Sequence, residues 1–94
     1  MARDFEQRLD ATAELLKALG NPLRLHIVAL LADGERHVNA LAEALDVAPA
    51  IVSQQLRILR MEQLVAATRR NGQAVYRLID SRVQRMLECI ECRR

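Results

Sequence analysis

Residues 41–79 constrain the fold more than any other stretch of this chain. They read as a helix, a tight turn, a second helix and then two strands, 64–69 and 74–79, that meet at Arg69-Arg70-Asn71-Gly72-Gln73. Asp46-Val47-Ala48 is a short connection, and Pro49 opens the second of these helices, where a missing N–H leaves nothing unpaired. Ala48 is a poor N-cap, so this helix start lacks about 1 kcal/mol that Ser or Thr would contribute. The helix has an apolar face of Val52, Leu56 and Leu59, with Ile51 as a further candidate. Its other face carries Ser53, Gln54, Gln55, Arg57 and Arg60. Asn71-Gly72 is the sequence of a type I′ hairpin turn. A helix with that polar face fits a DNA major groove, and a basic hairpin beside it fits the flanking backbone or minor groove. The pattern points to a binding activity rather than to a reaction.

The remaining elements complete a small helical domain. A first helix is expected over residues 4–19, where Phe5, Leu9, Ala13, Leu16 and Leu19 recur at helical spacing and Leu15 widens the stripe. Gly20 stops it. Asn21 then caps a second helix with Pro22 at its first position; Leu23, Ile27, Leu30 and Leu31 line it, and Asp33-Gly34 ends it. The third helix, residues 38–45, presents Val38, Leu41, Ala42 and Leu45. Asp80-Ser81 caps a last helix whose stripe is Val83, Met86, Leu87 and Ile90. The order is ααααββα: mainly α, one small β-hairpin, and a single domain over residues 1–94.

Charge is distributed unevenly. Residues 1–47 hold eight acids and five bases, whereas residues 48–94 hold nine Arg and four acids. The basic half contains the polar helix and the hairpin. Arg57, Arg60, Arg69, Arg70 and Arg77 face one acid, Glu62, in that interval. Arg suits phosphate forks and guanine edges better than Lys does. A solvated basic surface is the plainer reading of the same charges. No apolar run approaches the roughly 20 residues of a membrane helix, so no membrane is expected as partner. The first residues lack the basic-then-apolar order of a signal peptide, and a cytoplasmic location is the default expectation.

Three blocks resemble the ArsR/SmtB family of bacterial winged-helix repressors. The first is Leu16-Lys17-Ala18-Leu19-Gly20-Asn21-Pro22-Leu23-Arg24-Leu25-His26-Ile27. The second joins Leu41-Ala42-Glu43-Ala44-Leu45 to Val52-Ser53-Gln54-Gln55-Leu56-Arg57-Ile58-Leu59-Arg60, and the third is Leu64-Val65, the wing and Val75-Tyr76-Arg77-Leu78. The resemblance implies a winged helix-turn-helix and a homodimer built by the first and last helices. It implies binding to double-stranded palindromic operator DNA, with repression relieved by a ligand or by thiol chemistry.

The chain departs from the family pattern at several sites. The third-helix Cys-Val-Cys metal box is replaced by His37-Val38-Asn39. In the last-helix zinc site Asp80 remains, but Arg82 and Arg93 stand at the His positions. Ala29 occupies the second-helix position of persulfide-sensing members, Gln63 stands where Gly is frequent before Leu64, and Gln55 replaces a common His.

For DNA reading the candidates are Ser53, Gln54, Gln55 and Arg57, with Arg60 as a further DNA-binding residue: Gln binds adenine bidentately and Arg binds guanine, although some of these side chains can touch only phosphate. Arg69, Arg70, Asn71 and Gln73 in the wing would neutralise phosphate, which fixes position without specifying sequence. Cys89 and Cys92, three apart on the last helix, are neighbours off the main apolar stripe. Such a pair can bind a soft metal or metalloid ion, trivalent arsenic among them, or close a disulfide. A twofold axis nearby would gather four thiolates, enough for zinc or cadmium. Incidental thiols are the competing reading, since the end of a helix with Glu88 and Glu91 disfavours thiolate. His37 is read as capping the third helix or facing solvent, and His26 as facing solvent or a partner helix. No Ser-His-Asp set, paired-carboxylate site or Gly-rich phosphate loop is present, and a CxxC outside an α/β pattern does not make an oxidoreductase. The expected function is therefore a sequence-specific DNA-binding repressor and not an enzyme. A winged-helix protein-interaction module and a repressor that needs no ligand are the alternatives.

Overall fold

The computed structural model describes residues 2–91. The elements run α1 (Arg3–Leu19), α2 (Pro22–Ala32), β1 (Arg36–His37), α3 (Val38–Leu45), α4 (Pro49–Met61), β2 (Val65–Arg70), β3 (Gln73–Leu78) and α5 (Ser81–Glu91). The break between α1 and α2 follows from local chemistry. The Gly20 N–H closes α1 on Lys17 O, Asn21 Oδ1 accepts from the Arg24 N–H at 3.1 Å, and Pro22 starts α2 without an orphan donor. At the far end of α5's entry turn, Asp80 Oδ1 accepts from the Arg82 and Val83 N–H groups at 2.8 and 3.2 Å, which makes Asp80 the N-cap.

The sheet has three strands, where the sequence suggests a lone hairpin. β1 pairs antiparallel with β3 (Arg36 opposite Tyr76, His37 opposite Val75), so β3 is central in the order β1-β3-β2. A strand of two residues shows no alternation, and its partner lies far along the chain, so only tertiary contact defines it. The Arg36 Nε–H bonds to Leu30 O at 3.2 Å and ties this strand to the end of α2. The hairpin strands fall within one residue of expectation, and the Ile79 N–H still reaches Leu64 O at 3.0 Å. Asn71 and Gly72 have φ of 52° and 80°, the double positive φ of a type I′ turn.

The core gathers around α2, which packs on α1, α3, α4, α5 and β3. Ile27, Val28, Leu41, Val52, Leu56, Leu59 and Val83 lose all solvent contact. Val28 is a core residue the helical stripe did not single out, because a helix surrounded by neighbours has no single apolar face. Two expectations are corrected. Ile51 is 43% exposed and stands outside the core, since it lies about 100° around α4 from the middle of the face set by Val52, Leu56 and Leu59. Along α1 only Leu15, Ala18 and Leu19 are buried; Phe5, Leu9 and Leu16 of the expected stripe point away from the chain's own core, and so does Ile90 on α5.

Candidate nucleic-acid interface

The geometry of the helix pair begins with how α3 stops. Asp46 adopts the left-handed conformation (φ 57°, ψ 47°), its N–H bonds to Glu43 O, and the Val47 N–H reaches back to Ala42 O at 3.1 Å. This is a Schellman end, which reverses the chain within a few residues and buries the apolar faces of both helices against one another. α4 then starts at Ala48, which offers no side-chain cap, and Pro49. It ends in the same way. Gln63 has φ 62°, its N–H bonds to Arg60 O at 2.9 Å and the Leu64 N–H to Leu59 O at 3.0 Å. The Leu59–Leu64 contact that accompanies this motif lies in the core.

With Val52, Leu56 and Leu59 fixed inward, the rest of α4 faces out. At 100° per residue, Ser53, Arg57, Ala50 and Gln54 fall within an arc of about 100°. Ser53, Gln54, Arg57 and Arg60 are all exposed and make no side-chain hydrogen bond or ion pair among the described residues. Gln55 is placed differently. It lies about 40° around the helix from the buried Leu59 and not on this outer arc; it is half-buried, and its Oε1 accepts from Arg24 Nη1 at 2.9 Å. Ile51, beside this arc and 43% exposed, adds an apolar side chain near the start of the helix.

The wing residues do not form one free basic cluster. Arg70 grips Glu35 through two contacts, 2.7 and 3.1 Å, and its guanidinium is therefore shared with the turn before β1. Arg69 donates to Gly72 O within the turn, and Arg77 donates to Thr68 Oγ1 at 2.7 Å. Asn71 and Gln73 are exposed at the tip. The pair Arg70–Glu35 is solvent-exposed, so it is worth about 0–1 kcal/mol and yields readily to a phosphate. Neither Glu35 nor Arg24 was singled out from the sequence. Each acts on a partner more than thirty positions away, and no periodicity carries that information.

Elsewhere, the Asp80 carboxylate is held below its ordinary pKa, first by the Arg82 guanidinium at 2.7 Å and then, against the opposing effect of burial, by the backbone N–H groups it caps. The Arg82 guanidinium is correspondingly raised. Asp80 is thus engaged as cap and ion-pair partner. His26 and His37 face solvent; His37 occupies the N-cap position of α3 without a side-chain bond. Cys89 is exposed on α5 as a free thiol. Cys92, its expected neighbour, lies outside the described residues.

Comparison with known proteins places this geometry. The description "Bacterial regulatory protein, arsR family" matches residues 21–67, the segment from the cap of α2 into β2. The chain is 43% identical over 72 residues to an HTH-type transcriptional repressor SmtB of Mycobacterium tuberculosis; the match takes in 77% of this chain and 53% of that protein, so the chain spans about half the length of that relative. The crystal structure of the transcriptional repressor BigR from Xylella fastidiosa superposes with a TM-score of 0.86 at 34% identity, covering 100% of both chains. A homodimeric winged helix-turn-helix DNA-binding domain from Mycobacterium bovis, a possible ArsR-family transcriptional regulator, superposes with a TM-score of 0.81 at 34% identity over 97% of this chain and 84% of that one. With residues 21–67 matched and its whole length superposed on such a repressor, this winged helix-turn-helix chain belongs to the arsR family of bacterial regulatory proteins.

Proposed function

We propose that this protein is a DNA-binding transcriptional repressor that acts as a homodimer on a palindromic operator. The observation that carries the reading is the outer face of α4, where Ser53, Gln54, Arg57 and Arg60 stand exposed and uncommitted on a helix whose inner face is locked into the core. Arg57 and Gln54 have the donor geometry for base edges. Arg60 and the wing set Arg69, Arg70, Asn71 and Gln73 contact phosphate and fix the register. Two copies of α4, related by a twofold axis, enter major grooves about one helical turn apart.

Dimer formation is supported by Phe5, Leu9 and Leu16 on α1 and Ile90 on α5, which are 43%, 46%, 55% and 65% exposed in one chain. It is supported also by the homodimeric relative from Mycobacterium bovis. The second copy covers this apolar surface. Release from DNA is assigned to thiol chemistry at Cys89 and Cys92: a soft metal or metalloid ion, or oxidation, acts on α5 and so on the placement of the two α4 helices. Such a ligand shifts the equilibrium only by binding one dimer geometry better than the other, and a coupling of about 1–3 kcal/mol is enough.

Fluorescence anisotropy of the reduced protein on its own upstream DNA tests the reading. Trivalent arsenic, zinc, cadmium and a mild oxidant are added in turn, with Cys89→Ser/Cys92→Ser alongside. Salt-sensitive binding is expected, with release that the double variant abolishes. Tight binding that none of these agents reverses would leave a repressor without this thiol switch. Absence of duplex binding would remove the DNA-binding reading in favour of a protein-docking module.

A further inference from the structure

We infer that Ala50 is a further specificity-determining residue of α4: its exposed methyl group reads the C5-methyl of one thymine in each half-site. The inference rests on the DNA-binding reading of α4 and deepens it.

The start of α4 is apolar where the rest of its outer face is polar. Ala48, Pro49, Ala50 and Ile51 are consecutive apolar residues, and all are exposed. Such a run on a surface marks a contact rather than internal packing. The backbone there is equally short of polar groups. Ala48 supplies no side-chain cap, and Pro49 has no N–H. The Ile51 and Val52 N–H groups both donate to Ala48 O, at 3.0 and 3.3 Å. Of positions 49–52, only Ala50 keeps an unpaired N–H among the described residues. Ser or Thr at position 48 would stabilise this helix start; Ala48 leaves it with no polar side chain at all.

Position decides which of these residues meets a base. At 100° per residue, Ala50 falls between Arg57 and Gln54 in the outer arc, whereas Pro49 lies toward Leu56 and Ile51 beside the arc. Ala50 also stands about one turn before Gln54, and the N-terminal residues of a recognition helix are the ones that approach base edges. Its side chain is the smallest that carries an apolar group, so the backbone can come close. A methyl group neither donates nor accepts, and hydrogen bonding gives it no means of telling bases apart. What the major groove offers it is the C5-methyl of thymine, the one methyl group that any of the four bases presents there.

The test is fluorescence anisotropy of the reduced protein on its own upstream duplex, with each thymine of one half-site replaced in turn by deoxyuridine, which removes only the C5-methyl. Wild type is expected to lose about 2–4-fold in affinity at one position, the contribution of one methyl group taken out of water. Cytosine placed there is expected to bind better once it is methylated at C5. In Ala50→Gly and Ala50→Ser, each first checked for folding by circular dichroism, thymine and deoxyuridine should bind alike at that position. A merely structural Ala50 would weaken both duplexes equally and leave the difference between them intact; that result overturns the inference while the repressor reading stands. So does a methyl sensitivity that both Ala50 variants keep and Ile51→Ala loses. If neither Ala50 variant folds, the wild-type scan decides, and a scan with no methyl-sensitive position overturns the inference. If wild type binds no duplex at all, the DNA-binding reading falls, and this inference with it.

Discussion

Replacing Gln63 by Gly should stabilise the protein, and the size of the gain follows from backbone geometry alone. Gln63 closes α4 at φ 62°, where a side chain crowds the backbone. An L-residue in the left-handed region costs about 1–2 kcal/mol. Glycine removes that cost but gives up about 0.5–1 kcal/mol through its freer unfolded chain. Taking the middle of each range, the net is a gain of about 0.75 kcal/mol, or about 3–6 °C in Tm for a domain of this size. Nothing offsets it, since the Gln63 side chain is exposed and makes no hydrogen bond, while the two bonds of the helix end use backbone groups that glycine retains. Asp46 provides the internal control. It ends α3 at φ 57° with the same pair of backbone bonds, but Asp tolerates this conformation better than Gln. Asp46→Gly should therefore gain at most a few tenths of a kcal/mol, and Gln63→Ala, which keeps a Cβ, close to nothing. Urea titrations followed by far-UV circular dichroism measure all three at one protein concentration, because a dimer's apparent stability depends on it. An unchanged slope with a raised midpoint is expected for Gln63→Gly. A neutral or destabilised Gln63→Gly, or a larger gain at Asp46, would refute the reasoning.

Four further outcomes are expected. Glu35→Gln releases Arg70 from its 2.7 Å ion pair, so duplex binding should tighten by up to about 5-fold, the worth of an exposed pair; weaker binding would show that Glu35 orders the wing rather than competing with phosphate. Arg57→Ala should relax one base position and cost about 1–3 kcal/mol of discrimination, whereas Arg69→Ala should weaken binding to all sequences and lower the salt slope by about one; titrations at several salt concentrations separate the two. Asp80 has a folded-state pKa below the ordinary 3.8, so its ionised form stabilises the fold above that value and the benefit fades as pH falls through the folded pKa; Asp80→Asn should be less stable at neutral pH, with the difference closing below about pH 4, and a gap that persists in acid would assign the effect to shape rather than charge. Leu16 is 55% exposed, so Leu16→Asp should leave the single chain folded and shift sedimentation to the monomer; a dimer that survives this change would move the interface elsewhere.

The elements built from local chemistry were legible in the residues. Asn21-Pro22, Pro49 and Asn71-Gly72 mark boundaries through capping, fixed φ and positive φ, each decided within a few positions. Val52, Leu56 and Leu59 were legible because one face of α4 repeats. What stayed hidden depends on partners distant in sequence. β1 exists only through Tyr76 and Val75, Arg24 matters only through Ala18 and Gln55, and Arg70 is quieted by Glu35. The stripe on α1 illustrates the intermediate case: its period gave the helix correctly, but periodicity does not distinguish a face turned to the chain's own core from one turned away from it. Gln63 was visible as a departure from the family pattern, and the left-handed φ supplies the reason glycine is frequent there.

Tyr76 sits in the central strand β3, between Arg36 and Ala67, and is half-buried against the core. The chain has no Trp and no other Tyr, so the near-ultraviolet signal comes almost entirely from the sheet, while the far-ultraviolet signal is dominated by helices. The protein thus carries two spectrally separate reporters without any label. Heating curves followed at both wavelengths ask whether sheet and helical core melt as one unit, and coincidence of the two transitions is the condition for treating the fold as two-state.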